Sequence, residues 1–482
     1  MDKKYLTYEE FGAIGDGKND DFEAIIACHN AANEAGLPVV AKNGATYYIG
    51  GSAKTAIVKT SVDFSGAKFL IDDRSVECIT SYIFTVLSDF ETQKISLSGF
   101  TKDSKYISTD LCGNYFVKVY NANSRIYIRK GLNMNNGTAT QEVFVIDKEG
   151  AIYPSIDWDY PEITEAYARC TDDKPITITG GHFITIANEA ESFYRYHQRG
   201  FEIRRSHVVM SDIYHTVENE GEHGAPYHGF IRANEAFDIT IKDSLLTPRL
   251  IYWTESKIPG KPVSMGSYDL SFWNSIDIRC INIKQTIDIC DNKYWGIYTS
   301  NFCKNLLLED CVFSRFDAHM GVTNATIRRC TLGHQGVQLI GHGNFILEDT
   351  TLYSPWAMIY LRCDYGSLWD GDIYIKNCEW YNRCTRAAII GGNNVGDHDY
   401  GFTCTFGKNI TIDGVTVHDN PICERSEYVL YLVKNGSFDK NLPFAEIPPE
   451  KLCYKNVRSV EGLTFEITNL PSQFESVEVV EL

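Results

Sequence analysis

Short runs of alternating apolar and polar residues recur along this chain, always in the same internal order. Two apolar positions alternate, two mostly polar residues follow, then comes a small residue and another apolar one. The pattern reads ITITGGHF from Ile176, FEIRRSHV from Phe201, ITIKDSLL from Ile239 and IDIRCINI from Ile276. It continues as LLLEDCVF from Leu306, ATIRRCTL from Ala325, FILEDTTL from Phe345, IYIKNCEW from Ile373 and ITIDGVTV from Ile410. The central apolar residues are Ile178, Ile203, Ile241, Ile278, Leu308, Ile327, Leu347, Ile375 and Ile412. The closest copies set one coil at roughly 20 residues, and wider spacings imply loops inserted into particular coils. Alternation turns every second side chain inward. A unit this short cannot bury its own face, so neighbours must stack, and a parallel β-helix is predicted. The small residues Ser206, Ser244, Cys311, Cys330, Thr350 and Cys378 then fall at one height of an inner ladder. A β-sandwich would need regular hairpins, but Asn43-Gly44, Asn136-Gly137, Asp413-Gly414 and Asn435-Gly436 lie mostly outside the repeats.

The segment FGAIGDGKNDDFEAI from Phe11 predicts a glycine-bent loop and then a short amphipathic helix. Asn19 or Asp20 is placed to cap it, with Glu23 completing a capping box with Asp20. The apolar face starts at Ala24 and ends near Ala35, before Gly36 and Pro38. Strands at Val39-Val40 and Thr46–Ile49 follow, around a turn at Asn43-Gly44. This arrangement resembles the N-terminal cap of pectin-lyase-like proteins. The likeness implies an all-β, single-stranded right-handed parallel β-helix whose open end is plugged by the helix, with Asp16, Asp20 and Asp21 serving folding. The expected organisation is a cap over 1–50, a β-helix over 51–425 and a C-terminal cap or tail over 426–482. Inserted loops are expected at about 130–172, 216–230 and 253–268.

Composition narrows the functional classes. The formal net charge is -18, which disfavours nucleic acid and anionic membranes as partners. No apolar run is long enough for a membrane-spanning helix. The 15 cysteines are an odd number and lack zinc-ligand spacing, so reduced thiols and no metal or cofactor are expected. Met1-Asp2-Lys3-Lys4-Tyr5 has no apolar core behind its lysines. The expectation is therefore a cytoplasmic protein, or a secreted one had a leader preceded this segment. A poly- or oligosaccharide partner is expected, and homo-oligomerisation is left open.

Candidate chemistry gathers in the tightest coils, 305–365. Arg315-Phe316-Asp317-Ala318-His319, Gly333-His334-Gln335-Gly336 and Arg362-Cys363-Asp364-Tyr365 each follow a repeat strand one coil apart. Stacking should bring them to one flank, where carboxylates and histidines act on a sugar linkage. These coils resemble the polygalacturonase family. By that likeness Asp317 stands for the first aspartate of the family's pair, His334 for its histidine and Arg362 for its arginine. The second aspartate is Ala318 here, the family's asparagine-threonine-aspartate is Lys293-Tyr294-Trp295, and its uronate-binding lysine is Asp364. The resemblance thus implies a glycoside hydrolase acting on a neutral or differently charged sugar. Asp317 and Asp364 are the expected acid/base pair, helped by His334, His319 and Arg362.

The same segment also resembles the phenylalanine-aspartate-proline-histidine motif of mannuronan C5-epimerases, with Asp317 and His319 in the motif positions. That likeness implies a uronate-directed lyase or epimerase, with Arg315, Arg362 or Lys284 neutralising the carboxylate. A non-catalytic glycan-binding protein of tailspike type is the third expectation. Trp295, Tyr298, Tyr365 and Trp369 are candidate sugar-stacking platforms. His342 is a weak alternate, and Asp370 and Asp372 read as turn residues. Glu218, Glu220, Glu222, His223 and His228 read as a solvated polar loop. Asp397-His398-Asp399 is too small a cluster to hold calcium.

Overall fold

The computed structural model describes residues 4–111, 113–355, 357–382, 388–418 and 429–482. Its main sheet system is built of short parallel strands whose partners lie one coil away in sequence. One apolar column shows the stacking residue by residue. It runs Ile178, Met210, Ile241, Cys280, Leu308, Ile327, Leu347, Ile375 and Ile412, each opposite the next. Two members differ from the sequence expectation. Ile278 sits opposite Ile239 and Leu306, and Ile203 belongs to another sheet, opposite Val86 and Ala233. Both are buried, because alternation gives residues i and i+2 the same face and leaves the register open.

Two residues beyond each column position, the chain takes one left-handed residue. These are Gly180, Asp212, Asp243, Asn282, Asp310, Arg329, Asp349, Asn377 and Gly414. Such a residue turns the chain sharply into the next sheet, and Asn, Asp and Gly tolerate it best. Asn282 Nδ2 donates to Asp243 Oδ1 at 2.8 Å, and Asn377 does the same to Asp349 at 3.3 Å. The small inner residues come next. Thr331 N donates to Cys311 O and Cys330 N donates to Thr350 Oγ1, so these residues form the expected ladder with free thiols. Ser206 is not part of it. It pairs with Phe237 at a different turn.

The helix α1 spans Phe22–Ala35 and buries Phe22, Ile25, Cys28, His29 and Ala32 over the first coils. Its N-cap is Asp21, and no capping box forms, since Glu23 pairs with Lys54 instead. Asp21 Oδ1 and Oδ2 accept from Ile14 N and Gly15 N, while Asp20 Oδ1 accepts from Phe22 N. Asp16 Oδ1 accepts from Lys18 N and Asn19 N, so Asp16 and Asp21 fasten the loop while Asp20 holds the first residue of the helix. Below α1 the core is aromatic: Phe69 stacks on Phe183 and Phe84 on Phe201, both at 4.8 Å.

Three features complete the frame of the site. A five-stranded antiparallel sheet interrupts the coils between Gln93–Ile95 and Glu165–Cys170, so the insertion begins well before residue 130. It has its own core around Val117, Val119, Phe144 and Tyr160. Buried Lys304 fastens it to the β-helix through Glu142 and, at 3.0 Å, Asp157. The loop expected at 253–268 is a two-stranded ribbon, Tyr252–Glu255 with Pro262–Met265. After 429 the chain continues to coil: Val429–Lys434, Lys451–Ser459, Thr464–Thr468 and Glu478–Glu481 all pair in parallel.

Candidate functional site

Strand Val312–Arg328 carries the centre of the site. Phe316 and Ala318 are fully buried in the β-helix core, so alternation turns Asp317 to the opposite face. Ala318 occupies an interior position, where a second carboxylate would have to enter the core. Across the sheet, Asp317 lies opposite Gln338, and Gln338 opposite Tyr360. A cavity of about 970 Å³ opens above them.

The cavity is organised by a chain of ion pairs. Asp317 Oδ1 is 2.5 Å from Arg362 Nη1, and Oδ2 is 2.8 Å from Arg315 Nη2. The Tyr268 hydroxyl donates to Oδ2 at 2.5 Å. Arg362 also clamps Asp364, whose Oδ2 lies 2.6 Å from Arg129 Nη2. Three guanidiniums thus face two carboxylates. Burial alone would raise the Asp317 carboxyl, but Arg315 and Arg362 outweigh it and hold the group far below the usual carboxylate range. Asp364 is likewise lowered, with burial opposed by Arg362 and Arg129. Both aspartates are therefore anions at any working pH, and neither holds a proton to donate.

His319 lines the same cavity. Its Nδ1 lies 2.9 Å from Asn301 Oδ1, so Nδ1 carries the proton and Nε2 keeps a lone pair. Burial, reinforced by Arg362, lowers its pKa to about 3. The ring is consequently neutral at working pH, with a lone pair rather than a proton on Nε2.

The structure brings together Asp317, Asp364, His319, Arg315, Arg362 and Trp295 from the sequence candidates. Trp295 does not offer a free ring on the Arg315 side, because that guanidinium sits 4.7 Å from its centroid. The remaining candidates fall elsewhere. His334 faces away, with its ring Nδ1 3.2 Å from Ile289 O, as a glycine-flanked bend permits. Tyr298 is wholly inside the core, 5.1 Å from Phe316, and Trp369 packs there against Phe345. Tyr365 is buried beneath Arg129. None of these three presents a face to a sugar. Lys284 is exposed on a different sheet, opposite Leu245 and Val312. His342 stacks edge-on with Trp158 of the insertion at 4.5 Å.

The side residues keep to structural work. Asp370 pairs with Lys102 and Lys408, and Asp372 Oδ1 accepts from Asn409 N. Asp397 pairs with Lys130, and Asp399 accepts from Gly401 N. Glu220 accepts a hydrogen bond from the Tyr252 hydroxyl, while His228 lines the cavity wall. Among the described residues no group of three or more His, Cys, Asp or Glu is arranged to hold a metal ion, and no helix is long and apolar enough to cross a membrane.

Several lining residues escaped the sequence reading: Arg129, Tyr268, Asn301, Gln338, Trp253 and Trp273. Arg129 follows the long strand Tyr115–Ile126 of the insertion and reaches the groove only because that sheet docks beside it. Nothing in its local sequence marks it.

No family model and no curated protein sequence matches this chain. Solved structures do. The tailspike gp61 of Pseudomonas phage phi297 aligns with TM-score 0.58 at 12% identity, covering 99% of this chain and 84% of its own. The Gp54 tailspike of Acinetobacter baumannii phage AP22 gives 0.48 at 10% identity, covering 99% and 79%. The A-module of the Azotobacter vinelandii mannuronan C-5 epimerase AlgE4 gives 0.39 at 11%, covering 96% and 99%. At such identity a likeness carries the architecture and nothing finer. Together with the stacked parallel coils, the likeness to the phi297 tailspike establishes this chain as a right-handed parallel β-helix.

Proposed function

We propose that this protein is a carbohydrate-active enzyme that works on an acidic glycan, removing the proton beside a uronate carboxylate. One observation carries the reading: two arginine-clamped aspartates and a neutral histidine share one cavity, so the site has fixed cations and a base but no protonated carboxyl. A glycosidase of the usual kind needs one carboxylic acid to protonate the leaving oxygen. Asp317 and Asp364 are unsuited to that role, which weighs against the hydrolase expectation. Proton removal next to a carboxylate needs the opposite equipment, a neutral base and positive charge where the enolate forms.

His319 Nε2 is the base. Arg129 and Arg315 are the cations, since both line the cavity that His319 lines. Arg362 holds both aspartates and positions the pair. Asp317 and Tyr268 set the orientation of Arg315 and Arg362. The electron pair left on the sugar then either expels the 4-linked neighbour, whose oxygen takes the proton held by His319, a lyase outcome, or takes a proton from solvent on the other face, an epimerase outcome. The likeness of Phe316-Asp317-Ala318-His319 to the epimerase motif points the same way.

The test is turnover of acidic polysaccharides by wild type and H319Q. Elimination gives a product absorbing in the near ultraviolet, and epimerisation in heavy water places deuterium at C5. H319Q should lose at least about a hundredfold in either reaction. New reducing ends without absorbance or deuterium would establish hydrolysis instead. Binding without turnover in the wild type would establish a non-catalytic glycan-binding protein.

A further inference from the structure

The ribbon Tyr252–Glu255/Pro262–Met265 stands beside the cavity and separates it from a second cleft of about 510 Å³. Trp253 lines both spaces. Its side chain is 56% exposed, and Phe193 on the far wall is 55% exposed. Sugar rings offer an apolar face to aromatic rings left open beside a cleft in this way. The ribbon is held in place: Lys257 Nζ donates to Met134 O at 2.5 Å, and the Tyr194 hydroxyl donates to Asn133 Oδ1 at 2.7 Å. These bonds join the ribbon, the 187–199 loop and the insertion's 127–137 loop around the cavity mouth.

The two spaces differ in charge. The cavity holds one guanidinium more than its carboxylates balance. The second cleft is lined by Glu191 and Glu255, with Lys261 as its one fixed cation among the described residues. Carboxylates there accept sugar hydroxyl or amide protons and repel a uronate.

We propose that Trp253 is a stacking platform joining two subsites of one glycan path. The arginine cavity takes an acidic sugar, and the second cleft takes an uncharged unit of the same chain. The natural ligand is then a heteroglycan mixing acidic and uncharged sugars. The proposal rests on the acidic-glycan reading of the cavity.

Calorimetric titration of the full chain tests it. The probes are fragments of graded length from a uronate homopolymer, from a polymer alternating uronate with N-acetylhexosamine, and from a neutral polymer. Wild-type affinity should rise with length for the alternating fragments. W253A should lose about tenfold of that gain and still bind the shortest fragments, while W253F keeps most of it. The E191Q/E255Q double variant should strengthen binding of the longer homopolymer fragments. W253A weakening every length equally, or none, overturns the second subsite. A wild type that binds short acidic fragments without any gain from length does the same and leaves the cavity reading standing. Binding of neutral fragments alone, with the length gain lost in W253A, keeps the second subsite and overturns the acidic cavity. Binding of no fragment by the wild type overturns both.

Discussion

Asp317 shows how far a residue's surroundings decide its chemistry. As a letter in the chain it is a carboxylate two residues from a histidine. In place it is fully buried and shared between Arg315, Arg362 and Tyr268. Taking the anion away leaves Arg315 without a carboxylate and Arg362 with Asp364 alone, both nearly buried, and uncompensated buried charge is costly. D317N should therefore lose about 3–5 kcal/mol of stability in denaturant unfolding, along with its activity. An unchanged midpoint would mean that the arginines find water and that the network is loose. His319 offers a second, signed prediction. Its pKa falls from 6.5 to about 3 on folding, so below pH 6.5 the unfolded chain takes up a proton that the folded one refuses. Stability from this group is complete above pH 6.5 and declines toward pH 3. Relative to H319Q, the wild type should lose roughly 1.4 kcal/mol per pH unit in that window, measured by unfolding at successive pH values. The same shift should keep turnover flat from about pH 7 to about pH 5, where an ordinary histidine base would already be protonated.

The element that repeats here is the coil, and its least obvious part is a single left-handed residue per turn. Asp349 is one of them, with φ 49° and an exposed side chain. A β-branched residue is strained in that conformation, so D349V should cost about 1–2 kcal/mol and D349G close to nothing. Thermal melts of the two variants would check this; equal costs would show that the hydrogen bond from Asn377, rather than the backbone, is what matters. Arg329 takes the same conformation without the usual residue type and is tied to Asp310 by its Nε at 2.9 Å. The inserted sheet is the other decisive element. It delivers Arg129 to the site, and the buried Lys304, Glu142 and Asp157 group holds it there.

The whole molecule carries a formal charge of -18 while its cavity is locally positive. At low salt the long-range field repels an acidic glycan, and that repulsion is screened as the Debye length shrinks from about 30 Å at 0.01 M to about 8 Å at 0.15 M. The contacts inside the cavity are far shorter and are screened much less. Association of acidic fragments should therefore quicken as salt rises over that range, the reverse of ordinary electrostatic steering. Stopped-flow rates at several ionic strengths would show it, and a falling rate would mean that the cavity's local field governs the encounter.

Much of this architecture is legible in the chain itself. Alternation with a recurring small residue, read together with the cap motif, is enough for a stacked parallel coil, because only stacking can bury strands so short. The same reading finds the coils that carry Asp317, His319 and Arg362, since neighbouring coils place equivalent positions side by side. Register was not legible: Ile278 and Cys280 lie on one face, and alternation alone cannot choose between them. Nor was the direction in which aromatics point, and Tyr298 and Trp369 went into the core. Tertiary structure alone decided that Arg129 comes from a docked insertion and Tyr268 from a neighbouring coil. It decided also that the aspartates are clamped as anions and the histidine kept neutral. Those are properties of charges brought together from distant segments and buried, and no local pattern of residues encodes them.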